Sequence, residues 1–424
     1  MMNLYTIIGA LIFLVTLAVI MMRPYSISEA LASSVGAVLM LLGGYVHPGE
    51  AVSVLLHEWN VYGFFLGLMA ISALADQAGI FEMLAYRAGR WARGSALRLY
   101  LAVFVVGTGI TAFLSNDATA LILTPVVYSL VTRLRLPVMP FMFACTFIAD
   151  TASFLLPVSN PINILILNAF GGGLPTFLGY LLLPGLFCIG LNIALFVWLF
   201  RSDMKFNYSP ADLPELKLPR RQFFYFTATA LVLIAVAYIT ASAMQLPLSI
   251  VALCGSGLLM AGAIRYRCLN VGRLTGEITW SLFAFITGMF ILVRAVENLG
   301  LMAAFGRLLL NLAGDSPLKT LLLTAGGAAL GANLINNVPM ALVMVSVLKT
   351  AGTSPVIEAM VYATILGADL GPNLTTVGSL ATMLWLLILR RKGLEISTLK
   401  YFQLGVTVVP IMIVVGSLFI WLRL

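Results

Sequence analysis

The chain has 424 residues, 61% of them hydrophobic and only 9% charged, with a formal net charge of +8 and a mean hydropathy of +1.05. Soluble domains carry about 25% charged residues, so this composition excludes a soluble globular protein and points to a polytopic membrane protein. The positive charge gathers in loops between apolar runs, where it reports orientation and gives no reason to expect a nucleic-acid partner.

Apolar runs and polar punctuation predict spans near 3–22, 27–46, 60–78, 138–170, 176–200, 223–242, 246–264, 278–299, 357–389 and 401–422. The run at 4–22 resembles a secretory signal but lacks a basic n-region and a small-residue cleavage site, so it is the expected first span. The runs 138–170 and 357–389 are overlong, and Pro, Gly and polar residues interrupt both, which predicts broken helices. Two further apolar pairs, 99–132 and 318–349, are expected to fold back as re-entrant hairpins. In the first, GTGITAFLSNDATALILTPVV at 107–127, two apolar arms flank Ser115-Asn116-Asp117. Each arm falls short of the roughly 20 apolar residues that a crossing takes. A straight helix here would leave an Asn and an ionisable Asp at mid-membrane, a costly placement that by default marks a pathway.

The two halves resemble each other. At an offset of 221, Trp59 meets Trp280, Gly67 meets Gly288, Gly79 meets Gly300 and Asn116 meets Asn337. After a two-residue slip, Asp150 meets Asp369 and Val158 meets Val377. The expected fold is therefore an all-α polytopic membrane protein of two inverted repeats, 1–200 and 223–424, joined by a polar linker at 201–222. Each repeat has five spans, a hairpin and a broken helix; an odd number of crossings inverts the second copy, a recurring build of secondary transporters.

Loop charge tests this topology. One face would carry Arg23; Arg87, Arg90, Arg93 and Arg98; Arg133 and Arg135; Arg201, Lys205, Lys217, Arg220 and Arg221; Arg265, Arg267 and Arg273; and Arg390, Arg391, Lys392 and Lys400, which is 19 of the 24 basic residues. The positive-inside rule makes that face cytoplasmic and puts both termini outside, in the cytoplasmic (inner) membrane. The hairpin at 99–132 then enters from the cytoplasm and that at 318–349 from outside.

Four polar clusters fall at equivalent depth: the tips Ser115-Asn116-Asp117 and Asn336-Asn337-Val338-Pro339, and the breaks at 157–163 and 372–379. Broken helices present helix ends and free amides to a ligand near the midplane. The candidate substrate-binding residues are Ser115, Asn116, Ser159, Asn160, Asn163, Asn336, Asn337, Asn373, Thr375, Thr376 and Ser379. Any one of them alone reads as interhelical glue; four symmetry-related clusters read as a site. Asp117, Asp150 and Asp369 are the acidic residues closest to the clusters and the candidates for proton coupling, since a buried carboxylate takes up protons more readily than an exposed one. The competing reading is a carboxylate that caps free amides at a helix break. Asp150 and Ser153, and Asp369 and Asn373, are spaced to share a helix face. Asp76 and Glu297 also correspond but lie near span ends, and Glu297 follows Arg294 by three residues, the spacing of a structural ion pair. His47 and His57 fall in an outer loop and have no expected role. Arg87, Arg90, Arg93 and Arg98 with Trp91 predict an interfacial helix that anchors in the headgroup region.

FLSNDATALILTPVV, FIADTASFLLPVSNPINI, NNVPMALV, GADLGPNLTTVGSLATMLW and the early His47-Pro48-Gly49 together resemble the signature segments of the arsenite efflux permeases, the arsenical pump membrane proteins of the ion transporter superfamily. The resemblance runs nearly end to end. It implies a scaffold domain and an elevator-like transport domain with two re-entrant hairpins. It also implies export of arsenite or antimonite in exchange for protons, giving arsenic resistance, with the proton gradient as energy source and no cofactor. The implied partners are membrane lipid, a soluble arsenite-stimulated ATPase subunit in some members, and a second copy of the chain; catalysis is not implied. Some members carry a Cys directly before the Asp of the second broken helix, where this chain has Ala368. Three-thiol coordination needs convergent cysteines, and Cys145, Cys188, Cys254 and Cys268 are dispersed, so no metal site through thiolates is expected. A neutral trihydroxide, donor and acceptor at once, suits Asn, Ser and Thr side chains.

A sodium/proton antiporter of the same superfamily uses similar oxygen ligands, and only the motif match favours arsenite over it. A dicarboxylate carrier is disfavoured because no Lys or Arg lies within the clusters, although helix-end amides can hold an anion. An intramembrane hydrolase needs an activated nucleophile, and Ser115 has no His near it. A channel does not require two oppositely entering hairpins.

Overall fold

The computed structural model describes residues 4–22, 27–213, 220–244, 246–352, 354–376 and 378–424. Arg23 and Lys217 of the charge count, Val377 of the repeat alignment and residues 214–219 of the linker lie outside the described residues. Among the described residues the chain is helical throughout, with one isolated bridge between Ser95 and Asn207 in place of any sheet.

Among the described residues, eight helices are long and apolar enough to cross a membrane. Six match expected spans: Trp59–Gln77, Leu174–Leu199, Arg221–Ala243, Leu248–Arg265, Trp280–Asn298 and Thr398–Trp421. The other two are first arms of the hairpins, Ala96–Phe113 and Pro317–Ile335, with 18 and 19 residues. The expectation that each arm of the first hairpin is too short to cross is thus corrected for Ala96–Phe113. The reason lies at the N-termini of the two first arms. Ser95 Oγ accepts from the Arg98 amide and Ser316 Oγ from the Lys319 amide, both at 3.4 Å, so each helix starts well before the most apolar stretch. At 1.5 Å per residue such an arm is about 27 Å long.

The two overlong runs are broken. The first becomes Val138–Thr151, a 3-10 turn Pro157–Ser159 and Pro161–Phe170; the second becomes Pro355–Leu370, a turn Gly371–Leu374 and Leu380–Arg391. Pro161 and Pro355 both start helices, where a missing N–H leaves no bond unmade.

The helices pack in two groups. In one, Trp59–Gln77 lies on Leu248–Arg265 and Trp280–Asn298 lies on Glu29–Leu42, with Leu4–Met22 and Arg221–Ala243 outside them. In the other, the hairpins, the broken helices, Leu174–Leu199 and Thr398–Trp421 pack on one another. The most apolar parts of Trp59–Gln77 and of Val271–Asn298 are each 61% buried against 33% for Arg221–Ala243, so the first two are central and the third is peripheral.

The two central crossings depend on equivalent glycines. A Cβ at Gly67 would sit 2.5 Å from the Ala252 carbonyl carbon, and one at Gly288 would sit 2.6 Å from that of Ser33. Both helices then end at left-handed glycines, Gly79 with φ 83° and Gly300 with φ 73°. Small residues let helix backbones approach closely where lipid supplies no hydrophobic drive.

We expect Gly67→Val and Gly288→Val to destabilise the protein by about 1–3 kcal/mol or more through overpacking. Gly109→Ala and Gly326→Ala, whose added Cβ meets nothing within 4 Å, should be near neutral. Melting of the detergent-purified variants, followed by size-exclusion chromatography, checks this; equal melting of all four would remove the close-approach role.

Candidate functional site

The first hairpin reverses at Leu114 and Ser115. Ser115 Oγ accepts from the Ala118 amide at 3.1 Å and Asn116 Oδ1 from the Asp117 amide at 3.0 Å, so the tip satisfies its own helix start. The second hairpin reverses at Asn336, a non-glycine at φ 74°. Asn tolerates this region because its short side chain bonds locally, and Asn336 caps the helix Asn337–Thr350.

At the first break, Ser159 Oγ donates to Ala112 O of the first hairpin at 3.2 Å and accepts from the Leu156 amide at 3.1 Å. Asn163 Nδ2 donates to Ser153 O at 2.8 Å, closing the loop on itself. Asn160 caps Pro161–Phe170 with its Oδ1 and donates from Nδ2 to Asp369 Oδ1 at 2.6 Å. At the second break, Asn373 Nδ2 donates to Phe147 O at 3.2 Å and Thr151 Oγ1 at 3.3 Å. Thr382 Oγ1, beside the cap residue Ser379, donates to Asp150 Oδ2 at 3.4 Å.

The bonds from Asn160 Nδ2, Asn373 Nδ2 and Thr382 Oγ1 all cross between the halves. The same-helix pairs expected from spacing do not form: Ser153 Oγ turns to the Asp150 carbonyl at 2.8 Å, and Asn373 reaches the other half instead of Asp369. The cause is the helix break, which ends each helix immediately after its Asp and swings the i+3 and i+4 residues away from the carboxylate. Asp150 and Asp369 are each 1% exposed, and neither pairs with a Lys or Arg among the described residues. Asp369 Oδ2, Asn163 Oδ1 and Asn373 Oδ1 are buried acceptors that find no hydrogen bond there.

The four clusters meet. Asn116, Asp117, Asn160, Asn337 and Ser379 line one small cavity of about 20 Å³, walled by Phe65 and Leu282 of the central helices. That is room for about one water. Asp117 and Ser115 also close the inner end of a vestibule of about 600 Å³. Its walls are Met69, Ser72, Ala73 and Asp76 on one side and Leu121, Ile122, Pro125 and Val126 on the other, with Arg273, Glu277 and Arg391 at the mouth. On the opposite side of the centre, Asn336 and Val338 border only a crevice of about 30 Å³. Among the described residues, the wider space beside the centre is therefore the one next to the first hairpin.

The remaining expected site residues do not line the central cavity. Ser159, Asn163, Asn373 and Thr375 brace the breaks from behind, Thr376 is buried beside them, and Asp150 and Asp369 stand behind Asn160 and Thr382. Two elements escaped the sequence reading. Asn333, four residues before a tip Asn, donates to Gly371 O at 2.7 Å and accepts from Thr375 Oγ1 at 2.6 Å, tying the second hairpin to the second break. Asp76 forms an ion pair with Arg273, which also holds Glu277 at 3.0 Å; the equivalence of Asp76 and Glu297 was the available signal. The expected pair Arg294–Glu297 is present at 3.0 Å, and Glu50 joins it at 2.7 Å. Cys145 and Cys188 are buried, Cys268 is half-buried and Cys254 is exposed.

Comparison with known proteins adds to this geometry. Over 404 residues the chain is 33% identical to the arsenical pump membrane protein of Escherichia coli strain K12, covering 93% of this chain and 94% of that one. It is 32% identical to the arsenical pump membrane protein of Yersinia enterocolitica with the same coverage. In fold it is similar to the YdaH transporter of Alcanivorax borkumensis, with a TM-score of 0.60, 15% identity and 99% coverage of both chains. The family model described as arsenical pump membrane protein matches residues 8–422. With nearly the whole chain matched, this protein belongs to the arsenical pump membrane protein family.

Proposed function

We propose that this chain exports arsenite and antimonite across the cytoplasmic membrane in exchange for protons, by alternating access to the central cavity. The observation that carries the reading is the convergence of four polar clusters on one cavity, with a wide vestibule on one side and a narrow crevice on the other. That asymmetry is what an alternating-access carrier caught facing one way would have.

The ligand groups at the centre are amides, hydroxyls and the Asp117 carboxylate. They suit a neutral trihydroxide, whose O–H groups donate to Asp117 and to Asn oxygens and whose lone pairs accept from Asn and Ser. A cavity sized for one water is too small for three oxygens around arsenic. The substrate therefore enters through the vestibule, meets Ser115 and Asp117 first, and fills the centre as the tips part. Four carboxylates, Asp76, Glu82, Asp117 and Glu277, face two guanidiniums in the vestibule, a wall that repels anions and disfavours a dicarboxylate.

Asp150 and Asp369 serve as the proton carriers in this reading. A buried carboxylate without a cation partner is held charged only at a cost of several kcal/mol, and a proton on it removes that cost. The link of Asn160 to Asp369 passes the protonation state to a residue that lines the cavity. We further infer the two-repeat division at 1–200 and 223–424 from the sequence offset, and outside termini with the vestibule opening to the cytoplasm from the basic residues of the loops on the first-hairpin face. A soluble ATPase subunit would dock on the same basic face, notably at 201–222.

Two measurements test this in liposomes with purified protein and an imposed pH gradient. First, arsenite and antimonite should move while succinate does not; movement of sodium without arsenite would select the antiporter reading and sink this one. Second, Asp150→Asn and Asp369→Asn should each lower gradient-driven arsenite flux by at least about tenfold, the loss of a proton-transfer group, while both proteins still insert. Full flux in both variants removes these residues from coupling.

A further inference from the structure

The two halves hold one equivalent pair of positions in two different arrangements. In the second half, the central helix Trp280–Asn298 packs directly on the return arm Asn337–Thr350, and Ser346 Oγ donates to Glu297 Oε1 across that contact. At the offset of 221 these positions correspond to Pro125 and Asp76. Asp76 and Pro125 stand on opposite walls of the vestibule. The same pair of helices is thus closed on one side of the molecule and open on the other.

The chemistry of the two pairs also differs. Glu297 is fixed on its own helix by Arg294, which Glu50 holds from the helix Pro48–His57. Its other oxygen is then presented to the return arm, where Ser346 supplies a hydroxyl. Asp76 is likewise held by an arginine, Arg273, but the position facing it is a proline with no donor at all. A hydrogen bond to a charged acceptor is worth about twice a neutral one.

We propose that Ser346 is a positioning residue of the transport cycle: through Glu297 it latches the second hairpin shut, and the first hairpin has no counterpart. The inference rests on the alternating-access reading above and deepens it. Because only one side carries the latch, the resting equilibrium is biased toward the state seen here, with the vestibule open and the second-hairpin side closed. Opening that side requires the Ser346–Glu297 bond to break; closing the vestibule brings Asp76 toward Pro125 without a compensating bond. Substrate and protons must supply the difference.

The test uses two reporter cysteines in protein whose Cys254 and Cys268 are changed to Ser, purified into nanodiscs so that both faces meet a charged maleimide. Val338→Cys reports the second-hairpin side, where Val338 is 7% exposed, and Ile122→Cys reports the vestibule. We expect Ser346→Ala and Glu297→Gln each to raise labelling at 338 about tenfold, the size of losing a hydrogen bond to a charged group, and to lower it at 122. Ser346→Thr should keep the parent pattern, since it keeps the hydroxyl. Pro125→Ser supplies the missing donor and should lower labelling at 122 in otherwise unaltered protein. Unchanged labelling in both Ser346→Ala and Glu297→Gln overturns the latch. If arsenite or a pH step still moves labelling in the parent, alternating access survives that result. Labelling that nothing moves overturns the underlying reading and the latch with it.

Discussion

Two helices that stop in the middle of the protein impose the main constraint on this molecule. Each break leaves amides and carbonyls without helical partners in a place where lipid offers none, and an unsatisfied group there costs several kcal/mol. The structure meets that demand across the halves. Asn373 of the second break bonds to Phe147 O and Thr151 of the first, and Asn160 of the first bonds to Asp369 of the second. Ser159 and Asn333 tie each break to the hairpin of its own half. Hairpins and broken helices are thereby joined into one packed group, and their tips are brought to a common centre.

That centre gains its chemistry from the same constraint. Side chains that satisfy a break must be short, polar and able both to donate and to accept, which is why Asn, Ser and Thr dominate. Several of these side chains cap a helix start and also line the cavity, Asn116, Asn160 and Ser379 among them, beside Asp117 and Asn337. The two buried carboxylates behind them are each hydrogen-bonded from the opposite half, and neither pairs with a Lys or Arg among the described residues. A change of charge on either would reach both halves at once, which is the coupling that the proposed proton exchange requires.

Much of the architecture was legible from sequence because it follows from one-dimensional patterns. The apolar runs and the Pro and Gly punctuation marked the spans and the breaks, and Ser95 and Ser316 are ordinary cap residues that could have lengthened the hairpin arms. The pairings inside the site were not legible. Helical spacing placed Ser153 with Asp150 and Asn373 with Asp369, but spacing holds only while the helix continues, and both helices end at those carboxylates. Asn333 went unread for a related reason. It lies within a regular helix and gains its importance from Gly371 and Thr375, 38 and 42 residues away.

The sequence by itself determined that this is a helical membrane protein with polar groups too costly for lipid, and through its motifs which family it belongs to. Hydropathy and residue identity carry that information locally, without reference to distant contacts. Only the tertiary structure decided which polar residues face the cavity and which brace it, that each Asp is held from the opposite half, and that the space beside the first hairpin is wide while that beside the second is narrow. Those properties are distances between segments hundreds of residues apart, set by how Gly67 and Gly288 let the central helices cross and by where the broken helices find partners.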